Sequence, residues 1–193
     1  MIKIGVVQAR FQIPHLKEME YILAAKMRCE RLFIGITYPD NQSLKLEELE
    51  EEEREEKKKE FQRNNPLTYY ERYEMIMMAL EEFGAAKDEF EIIPFPIDKP
   101  EYILQYAPED ATYFIAICDD EDQRYKRTLE GLGLNTEVLW RRTLKEKGVT
   151  GSEIREKIRD GKRWKQLVPK TTHTFMKKNK IDKRIKDLDL EEV

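Results

Sequence analysis

The sequence predicts an α/β protein with a parallel sheet and helices on both of its faces. Three observations carry this. Short apolar runs recur along the 193 residues, segments with helical spacing alternate with them, and the runs are too continuously apolar for a sheet with one wet face. Residues 2–7 form the first strand. Residues 15–28 follow as a helix, with Leu16, Met19, Ile22, Leu23 and Met27 at helical spacing. Residues 31–37 are the second strand, and residues 38–41 read as a turn. The next helix, 68–83, has its limits written in sequence: Thr68 as N-cap, Glu71 three positions on as its capping-box partner, and Gly84 at the stop. Strands are expected at 90–95, 112–118 and 136–140, with a helix over 121–132. Helices are expected again over 152–160 and after Pro169.

Residues 1–193 read as a single domain, interrupted at about 43–64 by a charged insertion. Its core, residues 47–59, places acids before bases, as the helix dipole prefers, and has almost no apolar repeat. It reads as a solvated helical or flexible segment, or as a lid, because it leaves the sheet at the carboxyl end of strand two. With 35 basic and 39 acidic side chains and a net charge of -4, the chain is not expected to bind nucleic acid generally. No apolar stretch approaches the ~20 residues of a membrane span, and no signal-peptide core follows the first residue. Cys29 and Cys118 form neither a metal-type pair nor a disulfide framework. A cytoplasmic protein is expected, with no membrane or nucleic-acid partner; homo-oligomerisation is left open.

Two segments carry chemistry. The loop after strand one contains Arg10, Phe11, Gln12, His15 and Lys17. A turn between a buried strand and a helix can aim backbone N–H groups at an anion, and the helix adds its positive end. Arg10 supplies a planar fork for phosphate oxygens, His15 stands at the helix start, and Lys17 adds a point charge. Each also has an ordinary reading as a surface ion pair or cap. The second segment, residues 149–155, has Thr150 and Ser152 around Gly151, with Ser152 the expected N-cap and Arg155 one turn inside the helix. A cation near a helix N-terminus gains nothing from the dipole, and a polyphosphate would offset that cost.

On these residues the chain resembles the archaeal-type nicotinamide-mononucleotide adenylyltransferases, within the nucleotidyltransferase superfamily marked by a His-x-Gly-His motif. The resemblance rests on Arg10-Phe11-Gln12 with His15, on the run from Asn65 and Pro66 to Glu71 and Arg72, on the run from Thr150 to Arg155, and on residues 161–169. It implies a Rossmann-like nucleotidyltransferase fold and direct transfer of a nucleoside monophosphate to a phosphate-bearing acceptor, with pyrophosphate leaving. It assigns His15 and Arg155 to catalysis, and Lys17, read from its charge beside them, is counted with them. Arg10, Phe11, Gln12, Thr150, Ser152 and Arg155 fall to the nucleotide phosphates, and Arg72, Asp119, Asp120 and Trp140 to the acceptor. Mg²⁺ is expected to be carried by the nucleotide, with no dedicated protein metal site. The nearest reading is adenylyl transfer to nicotinamide or nicotinate mononucleotide, and the alternative is cytidylyl transfer to a small phosphate or phosphonate. The motif departs at four places: Lys17 replaces its glycine, Glu18 its second histidine, Ala9 an earlier glycine and Ile13 a proline. These departures motivate a further alternative, a nucleotide-binding or regulatory protein with weakened catalysis.

Overall fold

In the computed structural model, residues 1–38 and 50–188 are described. Five parallel strands form one sheet: β1 (Ile2–Ala9), β2 (Cys29–Thr37), β3 (Phe90–Phe95), β4 (Thr112–Ile117) and β5 (Asn135–Arg141). Their order across the sheet is β3-β2-β1-β4-β5. The chain therefore builds outward from β1 to β3, then crosses back and builds outward on the other side. The carboxyl ends of β1 and β4 flank the reversal, which is where open α/β sheets leave a crevice for ligands.

Strand alternation sends neighbouring residues to opposite faces. Val7, Ile34 and Ile92 enter one core with Met19, Ile22 and Ala25 of α1 (Leu16–Lys26) and Ile76 and Ala79 of α3 (Tyr69–Glu82). Val6, Ile93 and Phe95 enter the other, with Ile103 of a short 3-10 turn and Leu129 of α4 (Asp120–Gly131). Both faces are dry, which accounts for the continuous apolar runs. A third core lies among α6 (Gly151–Arg159), α7 (Lys170–Lys178) and α8 (Ile181–Asp187), with Ile13, Leu67 and Met75 reaching into it. This core ties the loop after β1 to the C-terminal helices.

The charged insertion contains α2 (Glu51–Asn64), which has no buried residue. Its Phe61 meets Tyr38 edge-on, with ring centroids 6.4 Å apart. The rest of the expected insertion, and most of the turn expected at 38–41, lie outside the described residues. A four-residue helix that the sequence reading did not contain, α5 (Leu144–Lys147), precedes α6. Among the described residues no helix is long and apolar enough to cross a membrane.

Candidate functional site

A cleft of about 510 Å³ opens at the carboxyl ends of β1, β4 and β5, between the loop after β1 and the start of α6. Its size suits a small-molecule ligand, for which sites of roughly 300–1,000 Å³ are usual. The two chemistry-bearing segments meet there. Gly151 makes the meeting possible: a Cβ on it would lie 2.4 Å from the Gln12 carbonyl oxygen, so only a residue without a side chain lets the two backbones approach this closely.

Thr150, not Ser152, is the N-cap of α6. Its Oγ1 accepts from the Glu153 N–H at 3.3 Å, while Glu153 Oε2 accepts from the Thr150 N–H at 2.9 Å. This corrects the expectation for Ser152. With the cap duty taken, the Ser152 hydroxyl is left to accept from Arg155 Nη2 at 3.0 Å. Arg155 is almost fully buried, its Nη1 donates to the Gln12 carbonyl, and its Nε has no hydrogen-bond partner among the described residues. Burial pulls its pKa down to about 10, and the nearby charges of Arg10 and Arg159 push in the same direction. Arg10 lines the same cleft, exposed, with no hydrogen bond or ion pair from its guanidinium among the described residues. Two arginines thus stand together near a helix N-terminus, an arrangement suited to a multiply charged anion.

His15 is the N-cap of α1. Its Nδ1 accepts from the Glu18 N–H at 3.3 Å, and Glu18 Oε2 accepts from the His15 N–H at 3.2 Å. Because Nδ1 is the acceptor, the proton of the neutral ring belongs on Nε2. Glu18 is therefore absorbed into the helix cap. Its carboxylate lies 3.7 Å from His15 Nε2 and helps keep Arg72 and Arg155 charged. Lys17 lines the cleft but pairs with Glu20 Oε2 at 2.8 Å.

Three expected contacts turn out to be structural. Arg72 is 2% exposed and does not line the cleft. Its guanidinium donates to the carbonyls of Arg10 at 3.0 Å, Thr37 at 2.7 Å, Tyr38 at 2.8 Å and Thr68 at 3.2 Å. It gathers the loops after β1 and β2 from beneath, which leaves little of it for an acceptor. Phe11 has a left-handed backbone with φ 53° and a ring fully buried in the core, so it cannot meet a nucleotide. Gln12 spends its side-chain amide on Leu67, donating to that carbonyl at 3.0 Å and accepting from that N–H at 2.9 Å. It lines the cleft, as expected, but its amide is spent stapling the loop to the residue before α3's cap.

The acidic pair separates as well. Asp119 lines the cleft and caps α4, accepting from the Asp122 N–H at 3.0 Å; Asp120 is exposed on the helix and outside the cleft. Trp140 reaches the cleft, with Tyr21 edge-on to it at 6.2 Å between centroids. Several lining residues were missed: Tyr21, Thr37, Glu121, Tyr125 and Arg142. The Thr37 hydroxyl is buried without a partner among the described residues, and Tyr125 donates to Glu121 Oε1 at 2.7 Å. Arg142 had a legible signal: it stands two residues after Trp140 at the end of a strand, and residues two apart share a face.

No family model matches the chain. Over 182 residues it is 40% identical to a phosphonoformate cytidylyltransferase of Streptomyces viridochromogenes, a match covering 94% of this chain and 95% of that one. It is 25% identical over 200 residues to a nicotinamide-nucleotide adenylyltransferase of Thermococcus kodakarensis, covering 97% and 89%. A solved bifunctional NMN adenylyltransferase/ADP ribose pyrophosphatase of Francisella tularensis matches 97% of the chain with TM-score 0.66 and 18% identity. The chain spans about half of that protein, 53%. The same Francisella protein complexed with AMP and a manganese ion gives 0.64 at 17% identity. At such identities the likeness is one of fold.

Proposed function

The chain belongs to the nucleotidyltransferase family that contains this phosphonoformate cytidylyltransferase, and from that premise we propose that it transfers a cytidylyl group from CTP to a small phosphonate or phosphate, releasing pyrophosphate. One observation carries the phosphate part: Arg155, buried beside Arg10 at the opening of α6, with its Nε unpartnered. The 40% identity over nearly both full chains supports cytidylyl over adenylyl transfer. We take residues 1–193 as one functional unit for this reaction.

In this reading the β- and γ-phosphates lie against Arg155, Arg10, Ser152 and the first N–H groups of α6. His15 donates from Nε2 to a non-bridging oxygen on the α-phosphorus as charge develops there. An acceptor oxyanion attacks the α-phosphorus, the bond to the α,β-bridging oxygen breaks, and its electron pair leaves with pyrophosphate. The protein supplies alignment and charge neutralisation rather than a covalent intermediate. The buried Thr37 hydroxyl and the Tyr125–Glu121 pair are proposed to line the acceptor end, with Asp119 near them.

A divalent cation, Mg²⁺ in our proposal, fits as a passenger of the triphosphate. Among the described residues no three His, Cys, Asp or Glu side chains cluster to hold one, while single carboxylates such as Glu18 and Asp119 line the cleft. The AMP and manganese complex of the Francisella protein supports divalent-metal use on this fold. When bound, the cation would neutralise charge on the phosphate oxygens.

A second reading, adenylyl transfer to nicotinamide or nicotinate mononucleotide, is favoured by the Thermococcus relative. Pyrophosphate release separates the two, testing CTP and ATP each against a small phosphonate and the two mononucleotides. Release with CTP and phosphonate supports the first reading, and release with ATP and a mononucleotide the second. Silence with every pair, together with tight triphosphate binding, would replace both with a binding protein.

A further inference from the structure

Arg142 takes no part in the phosphate grip, yet it is held at the cleft from three directions. Its backbone N–H donates to the Ile117 carbonyl at 2.9 Å, which anchors the end of β5 to the end of β4. Its guanidinium carbon lies 4.3 Å from the centroid of the Trp140 ring. Its Nη2 donates to Glu20 Oε1 at 2.7 Å, and the other Glu20 oxygen is held by Lys17. A long side chain fixed in this way has already lost most of its rotamer freedom, so a ligand would not have to order it.

Two features say what that ligand is. First, the charge of Arg142 is offset by Glu20, which it shares with Lys17, and by Glu146, whereas Arg155 at the other end of the cleft has the cations Arg10 and Arg159 as neighbours. A neutral polar group suits this position better than another phosphate. Second, among the described residues Glu20 is the acceptor on the Arg142 guanidinium and takes one N–H of Nη2; the other Nη2 N–H remains to form a fork with its coplanar neighbour, and Trp140 lies alongside. A guanidinium presents paired, coplanar N–H donors, and it pairs best with two neighbouring acceptors in one plane.

Among nucleobases two, cytosine and guanine, meet that requirement. Cytosine carries adjacent acceptors, N3 and O2. Uracil has a donor at N3, and adenine sets its amino group between N1 and N7. Guanine offers O6 and N7, which is the base edge that arginine forks commonly read. Resting on the cytidylyltransferase reading above, we infer that Arg142 reads cytosine through N3 and O2, and that Glu20 is the positioning residue that aims it. Lys17, which stands where the family motif has glycine, then serves the base-reading end by fixing Glu20.

The test is calorimetric binding of CTP, UTP, ATP and GTP, each with Mg²⁺, to the wild-type chain and to the Arg142→Ala, Arg142→Lys and Glu20→Gln variants. Wild type should bind CTP most tightly. Arg142→Ala should weaken CTP by about 10- to 100-fold, the span of a good bidentate base contact, and change ATP by about threefold or less. Arg142→Lys keeps a cation near Trp140 and Glu20 but lacks the fork, so it should lose the CTP preference too. Glu20→Gln should narrow the CTP-to-UTP ratio, a readout that loss of stability alone would not move. The inference is overturned if wild type prefers ATP or GTP, if Arg142→Lys keeps the CTP preference, or if Arg142→Ala weakens all four triphosphates alike. Binding does not need turnover. Failure of the transferase reading would show separately, as absence of pyrophosphate with every substrate pair.

Discussion

Replacing Gly151 by alanine probes the joint on which the whole cleft depends. The new Cβ would stand 2.4 Å from the Gln12 carbonyl oxygen and 2.9 Å from its carbon, whereas ordinary contact begins near 3.4 Å. The obstructing atoms are backbone on both sides, so no side chain can swing away, and the segments must part by about 1 Å. Overpacking of this kind costs about 1–3 kcal/mol. At about 2–4 °C per kcal/mol for a chain of this size, the melting temperature should fall by roughly 2–12 °C. The parting also draws Arg155 away from the Gln12 carbonyl. A 1 Å misplacement can cost about 10²-fold in rate, so turnover should fall far more than stability. Gly131→Ala is the control, because nothing lies within 4 Å of its added Cβ. Thermal melts and steady-state turnover read both effects. A Gly151→Ala protein with wild-type melting temperature and turnover would refute the docking of α6 on the first loop.

Other expectations follow from the same geometry. Arg72→Lys keeps the charge but loses the fork, so it should destabilise by about 1–3 kcal/mol for each carbonyl left buried without a donor, with little change in KM for the surviving folded fraction; a raised KM at unchanged stability would return Arg72 to the acceptor site. Lys17→Gly with Glu18→His should lower rather than raise activity, since it strips Glu18 from the His15 cap and Lys17 from Glu20; a clear gain would indicate that the native pair suppresses catalysis. Burial alone would push the Glu71 carboxyl up, but the bonds from Arg184 and Thr68 outweigh it and hold it below its usual value. A lowered carboxyl contributes stability above its unfolded pKa of about 4.3 and loses it as pH falls through the folded value. Glu71→Gln should therefore flatten the acid limb of the melting-temperature curve, and an unchanged limb would exclude that pair as a source of acid sensitivity.

The strands and the α3 cap were legible because their signals are local. An apolar run bounded by turns marks a strand wherever it sits, and Thr68 with Glu71 forms the expected capping box. The same rule, applied to Thr150 and Glu153, picks out Thr150 as the α6 cap; reading Ser152 as the cap overlooked that spacing. Arg72, Phe11 and Gln12 failed differently. A motif identifies residue types near a site but not which way a side chain points: Arg72 and Phe11 hold the loop from behind, and Gln12 lines the cleft with its amide turned to Leu67. Glu18 stood out only as a departure from the motif because its partner, the His15 backbone N–H, is invisible until the helix start is placed. Arg142 could have been found from its two-residue spacing to Trp140, but its tie to Glu20 spans 122 positions and belongs to the fold.

The most direct test of the central claim is phosphorus NMR of a reaction containing CTP, Mg²⁺ and a small phosphonate. Attack at the α-phosphorus predicts two new coupled resonances from a cytidylyl–phosphonate anhydride, rising in step with pyrophosphate. Orthophosphate and CDP instead, or an unchanged CTP spectrum while ATP and a mononucleotide react, would contradict it.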